Sequence, residues 1–131
     1  MKKNGFTLVE LLAVIVILAI ILVIAVPKIT STIENARIGS LQSSVKMVAA
    51  QAETQKTVSD TLGDDKFTDS GSCIGAGAEW AGLNSSDYST CEYTITNGVA
   101  TVTIAGKGKF EGYSCKGTRS KIDTENCKKM Q

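Results

Sequence analysis

Residues 5–27 read GFTLVELLAVIVILAIILVIAVP, an apolar run of membrane length that holds one carboxylate, Glu10, in its first turns. At about 1.5 Å rise per residue, a helix from Phe6 to Val26 covers roughly 31 Å, close to the hydrocarbon thickness of a bilayer. A chain selected only to sit in lipid has little reason to keep Glu10. A carboxylate near mid-span costs on the order of 3 kcal/mol on insertion scales, and less near an end. An acid inside a span therefore reads first as functional.

What precedes the run sets the expected direction of the chain. Met1, Lys2, Lys3, Asn4 and Gly5 form a short basic leader. Positive residues stay on the cytoplasmic side, so the long carboxyl-terminal part is expected outside. A cleaved secretory signal has a shorter apolar core followed by a small-residue site, whereas Gly5 precedes the run here. The span is expected to be retained.

Gly5-Phe6-Thr7-Leu8-Val9-Glu10, the unbroken apolar run and Pro27 closely resemble the amino-terminal signature of type IV pilins and of the pseudopilins of type II secretion. The likeness is strong over about the first third of the chain and extends to the rest only in layout. It implies an α+β pilin fold, in which a long transmembrane and amphipathic amino-terminal helix packs on a small antiparallel β-meander. It implies that a prepilin peptidase cuts between Gly5 and Phe6 and that Phe6, the new terminus, is N-methylated. It also implies that Glu10 meets the terminal amine of a neighbouring copy in a helical homopolymer raised by an inner-membrane assembly platform.

Physical chemistry supports that transfer. After cleavage an amine and a carboxylate stand about one turn apart at the head of an apolar rod, and neither lipid nor a filament core tolerates either alone. Staggered subunits satisfy both, pairing Glu10 of one with the Phe6 amine of the next. A plain signal anchor leaves both Gly5 and the position of the acid unexplained.

The boundaries follow from the pattern: leader 1–5, membrane or filament-core helix 6–27, exported domain 28–131. Pro27 lacks a backbone donor and crowds the carbonyl of Val23, so a kink is expected there. Ile29 and Ile33, then Ile38, Leu41, Val45, Val48 and Ala52, continue a helical face to about Val58. Small residues flank it at Ala36, Ser40, Ser44, Ala49 and Ala50, and Gly39 lies inside it. From 59 to 91 Asp, Ser, Gly and Asn dominate and the segment reads as a long loop, with a short helical turn near Ala76 to Trp80 and Trp80 as an anchor to the core. From Glu92 the chain alternates. Asn97-Gly98 is a hairpin signal between Glu92–Thr96 and Val99–Ile104, and a third strand returns through Phe110–Cys115. Tyr93, Ile95, Val102 and Ile104 are expected inward, with Thr94, Thr96, Thr101 and Thr103 outward.

A domain of this size, with one Trp, three Tyr and three Phe in the whole chain, has a thin core. Cys73, Cys91, Cys115 and Cys127 all follow the span, and an even count outside the cytoplasm points to disulfides. Four cysteines allow three pairings and sequence alone does not choose among them. The local pairs Cys73 with Cys91 and Cys115 with Cys127 are favoured, the second closing a carboxyl-terminal loop as in many pilins. The chain has no histidine and no Cys-x-x-Cys, which argues against zinc.

From Lys28 onward twelve basic residues balance twelve acidic ones, so no strongly basic surface advertises nucleic acid. The charge is nonetheless divided. Seven acids against Lys66 alone lie between Asp60 and Glu92, and seven cations against three acids between Lys107 and Lys129. That division suits steering between subunits, or contact of Lys116, Arg119, Lys121, Lys128 and Lys129 with DNA or an anionic surface. Asp123 and Glu125 are weak candidates for calcium ligands of the kind that secretion pseudopilins carry. Without histidine or a Gly-rich phosphate loop, enzyme chemistry has no footing and no cofactor is expected. Two readings remain. One is the major subunit of a type IV pilus for adhesion or twitching motility. The other is a pseudopilin of a DNA-uptake or protein-secretion system. Either begins as a single-pass membrane precursor; the pilus subunit ends in a surface filament.

Overall fold

The computed structural model describes residues 4–130; the leader residues Met1, Lys2 and Lys3 lie outside the described part. The chain divides into two units, Met1–Asn35 and Ala36–Gln131. One helix, α1 (Leu8–Leu62), supplies the first unit and opens the second. Pro27 lies inside α1, with helical residues on both sides. The hydroxyls of Thr30 and Thr32 donate to the carbonyls of Val26 and Lys28 at 3.0 Å, the backward bonding by which Thr is accommodated within a helix.

Within the first unit the large apolar side chains from Leu8 to Val26 are exposed, and among the described residues α1 is the one helix with a stretch long and apolar enough to cross a membrane.

The second unit is α+β: the carboxyl-terminal part of α1 packs on a five-stranded antiparallel meander. Its strands, in spatial and chain order, are β1 (Ser70–Ser72), β2 (Tyr88–Thr96), β3 (Val99–Gly106), β4 (Tyr113–Thr118) and β5 (Ile122–Lys129). Leu41, Val45, Val48, Ala49 and Ala52 form the buried helical stripe. Tyr93, Ile95, Ala100, Val102, Ile104 and Tyr113 answer it from the sheet. Ile38 packs at the margin of this core; Ile29 and Ile33, in the first unit, are 56% and 47% exposed.

The strand pattern is a packing pattern. Thr94, Thr96 and Thr103 point to solvent and Thr101 is half-buried, opposite to the inward row. Asn97 and Gly98 both take positive φ, 52° and 78°, as a two-residue turn matched to strand twist demands. A register shift between Tyr88 and Thr90 lets Ser89 and Thr90 face out in succession, so that Tyr88 and Cys91 can both point inward. The Tyr88 hydroxyl meets that of Ser44 at 2.8 Å, tying β2 to the helix.

Three sequence boundaries need correction. The helix does not end at Val58 but at Leu62, where Gly63 adopts φ 68° and the Asp64 amide donates to the Ser59 carbonyl at 3.2 Å, a glycine-stopped helix end. The expected loop 59–91 contains β1 and the start of β2. β1 is Ser-Gly-Ser, polar and edge-lying, so nothing in its side chains announces a strand. The carboxyl-terminal segment is the edge strand β5. Its sequence, Ile-Asp-Thr-Glu-Asn-Cys-Lys-Lys, lacks apolar alternation because only Cys127 is fully buried.

Two disulfides brace this unit. Cys73 is joined to Cys91 and Cys115 to Cys127, all four nearly inaccessible to solvent. The second lies where the β4–β5 register jumps from Ser114 opposite Lys128 to Lys116 opposite Asp123. Between the helix end and β2, Phe67, Trp80 and Tyr93 form an aromatic triad with centroids 5.0 to 5.3 Å apart. The helical turn there is Glu79–Ala81, and Trp80 packs against the core.

Candidate functional site

The site is the head of α1. A helix start leaves four backbone N–H groups without partners. Here Thr7 is the N-cap and Glu10 the third helical residue. The Glu10 amide donates to the Thr7 hydroxyl at 3.2 Å, and the Thr7 amide donates to Glu10 Oε2 at 3.0 Å. The Leu11 amide then makes the first backbone bond, to the Thr7 carbonyl at 3.2 Å. This reciprocal capping box is written in the sequence as Thr-x-x-Glu. It also places a carboxylate in the first turn, where the helix dipole favours negative charge.

The surroundings are apolar and open. Phe6 is 92% exposed, and Leu8, Leu11 and Val14 are exposed around Glu10. A Cβ built on Gly5 meets no atom within 4 Å, and Gly5 carries no positive φ. Nothing in the fold requires glycine at this position.

Of the other residues singled out from sequence, the cysteines are bonded in the core and Pro27 sits about three turns beyond the middle of the apolar run. Asp123 accepts from the Glu125 amide at 3.2 Å and from the Asn126 side-chain amide, so its oxygens are engaged within β5. Among the described residues no group of three or more His, Cys, Asp or Glu gathers as a metal site. The acidic segment is partly neutralised by one cation of its own and two from outside it: Lys66 pairs with Asp64 at 3.1 Å, Lys56 with Asp60 and Asp69 at 2.9 and 3.3 Å, and Lys109 with Asp87 at 3.3 Å. Arg119 leans on Glu53, Nε to Oε2 at 3.5 Å, while Lys116 and Lys128 stay exposed.

Two residues escaped the sequence reading. Thr7 was legible through the Thr-x-x-Glu spacing. Glu53, which accepts from the buried Ala100 amide at 3.1 Å and faces Arg119, has no local signal because both partners are distant in sequence.

Residues 1–26 match the family model of the prokaryotic N-terminal methylation motif. That segment is typical of type IV pilins and pseudopilins, so the chain carries a pilin-type leader and helix head. The α+β second unit is in keeping with that arrangement. No curated protein and no solved structure matches the chain.

Proposed function

We propose that the chain is the major structural subunit of a type IV pilus, inserted first as a single-pass membrane precursor with residues 28–131 outside. A prepilin peptidase removes residues 1–5, Phe6 is N-methylated, and an assembly platform transfers the apolar helix from lipid into a bundle of identical helices. Adhesion or twitching motility is the role of such a fibre.

Glu10 carries this reading. A carboxylate kept at the head of an otherwise unbroken apolar segment of the methylation motif needs a cation there. A neighbour's Phe6 amine supplies one and fixes axial register, since breaking a buried pair typically costs about 3–5 kcal/mol. The disulfide-braced domain supports the pilus over a secretion or competence pseudopilus, because a thin core with covalent bracing suits a subunit exposed in a long extracellular fibre. The competing pseudopilin reading draws on the exposed Lys116 and Lys128, which favour DNA as a partner.

Electron microscopy of cells with and without the gene, with mass spectrometry of sheared material, tests the proposal. Long fibres of this chain beginning at methylated Phe6 are expected, and Glu10→Ala should abolish them while leaving membrane insertion intact. Loss of DNA uptake with no fibre would transfer the assignment to the pseudopilin.

A further inference from the structure

We propose that Thr7 is a positioning residue for assembly, holding the Glu10 carboxylate at the helix head through the capping box so that it is presented to a neighbour's amine in one fixed orientation. The inference rests on the assembly role proposed for Glu10.

The geometry carries it in three steps. Cleavage at Gly5–Phe6 turns the Phe6 nitrogen into an amine but leaves the Thr7 amide intact. Both bonds of the box, Thr7 N–H to Glu10 Oε2 and Glu10 N–H to Thr7 Oγ1, therefore survive processing. In lipid no water replaces them, so the unpaired N–H groups of an uncapped helix head stay costly and the box has no solvent competitor. Finally, an ionised carboxylate has about four acceptor positions, and the Thr7 amide takes one. The capped Glu10 is thus ordered without being saturated. It keeps acceptor capacity for a second, charged donor, and it meets that donor without first breaking its own contacts.

Without the Thr7 hydroxyl the Glu10 amide loses its acceptor and the reciprocal bond loses its support. The carboxylate then samples several rotamers, and the ordering cost falls on the assembly step. Ser and Asn cap as Thr does, whereas Val keeps the shape and loses the hydroxyl.

The test compares Thr7→Val, Thr7→Ser, Thr7→Asn and Glu10→Ala in the full chain, with fibre yield counted per cleaved, Phe6-terminated subunit so that peptidase effects do not enter. Thr7→Val should lower the yield about fivefold, the equilibrium equivalent of one lost cap, and both Ser and Asn should restore it. NMR of the cleaved subunit in micelles should show one Glu10 side-chain rotamer in the wild type and the two rescuing variants, and averaging in Thr7→Val. Wild-type yield in Thr7→Val beside abolished fibres in Glu10→Ala overturns this inference alone. Rescue by Ser but not Asn also overturns it, by making the hydroxyl itself an intersubunit contact. Normal fibres in Glu10→Ala overturn the assembly role beneath it.

Discussion

Leu18 and Leu41 lie on the same helix, yet Leu18 is 51% exposed and Leu41 is 1% exposed. The stretch around Leu18 is apolar on every side, a pattern that calls for an apolar medium all round, whether lipid or other helices. The stretch around Leu41 is apolar on one stripe and closes that stripe against its own sheet. One region leaves its hydrophobic contacts to be made with something else; the other completes them within the chain. Stability measurements on the subunit therefore report on residues 36–130, and on the proposed function assembly measurements report on residues 6–26.

The largest separation between the two comes from identical substitutions. Leu41→Ala should destabilise the second unit by about 2–5 kcal/mol, the usual cost of a large-to-small change in a packed core. Leu18→Ala should leave its unfolding within about 0.5 kcal/mol of wild type, and act only on membrane insertion or fibre formation. Denaturant unfolding followed by Trp80 fluorescence reads the first. Equal shifts for the two variants would mean that the first stretch is folded into the core after all.

The disulfides come next. Replacing both Cys115 and Cys127 by Ala opens a loop with a sequence separation of 12 and should cost about 3 kcal/mol in the chain-entropy account. The midpoint in denaturant should fall while membrane insertion of residues 6–26 is unchanged. A variant that lost insertion as well would couple the two regions more tightly than their sequences suggest.

How much of this was legible in sequence divides along the same line. The first region announces itself because its signals are local: a glycine, an acid at fixed spacing and an unbroken apolar run. In the second, the helix stripe and the hairpin at Asn97-Gly98 were equally plain, since period and turn chemistry suffice to find them. β1 and β5 were not. Both are polar edge strands recruited by backbone bonding to a neighbour, β5 with the added tie of the buried Cys127, and hydropathy cannot detect backbone bonding. Gly106 was equally silent. A Cβ there would sit 1.9 Å from the Phe110 carbonyl oxygen, a close approach that arises only once the Gly108–Phe110 turn is folded. Gly106→Ala should destabilise the second unit by about 1–3 kcal/mol through the backbone shift it forces.

Glu53 offers a finer division between a hydrogen bond and an ion pair. Glu53→Ala strips the acceptor from the buried Ala100 amide and should cost about 1–3 kcal/mol, the penalty of an unsatisfied buried donor. Glu53→Gln keeps an acceptor there and loses only the charge facing Arg119, whose side chain is 65% exposed, so it should cost well under about 1 kcal/mol. If the two variants are equally destabilised, the ion pair and not the hydrogen bond holds the hairpin to the helix.

The smallest effect is electrostatic and lies at the helix end. The Lys66 ammonium beside Asp64, helped by the Ser59 hydroxyl, holds the Asp64 carboxyl below its ordinary value of 3.8. A carboxyl whose folded pKa lies below its unfolded one adds stability above the unfolded value and loses it as pH falls through the folded one. Asp64→Asn should therefore flatten the acid limb of the stability curve below about pH 4, leaving only the constant cost of the lost pair above it. Because Lys66 is 86% exposed, added salt should erase most of the difference. A flattened limb that survives high salt would place the stabilisation in the Ser59 hydrogen bond. Ser59 is buried at the glycine-stopped end of α1, so that outcome would make the helix terminus, and not the surface charge, the acid-sensitive element of the second region.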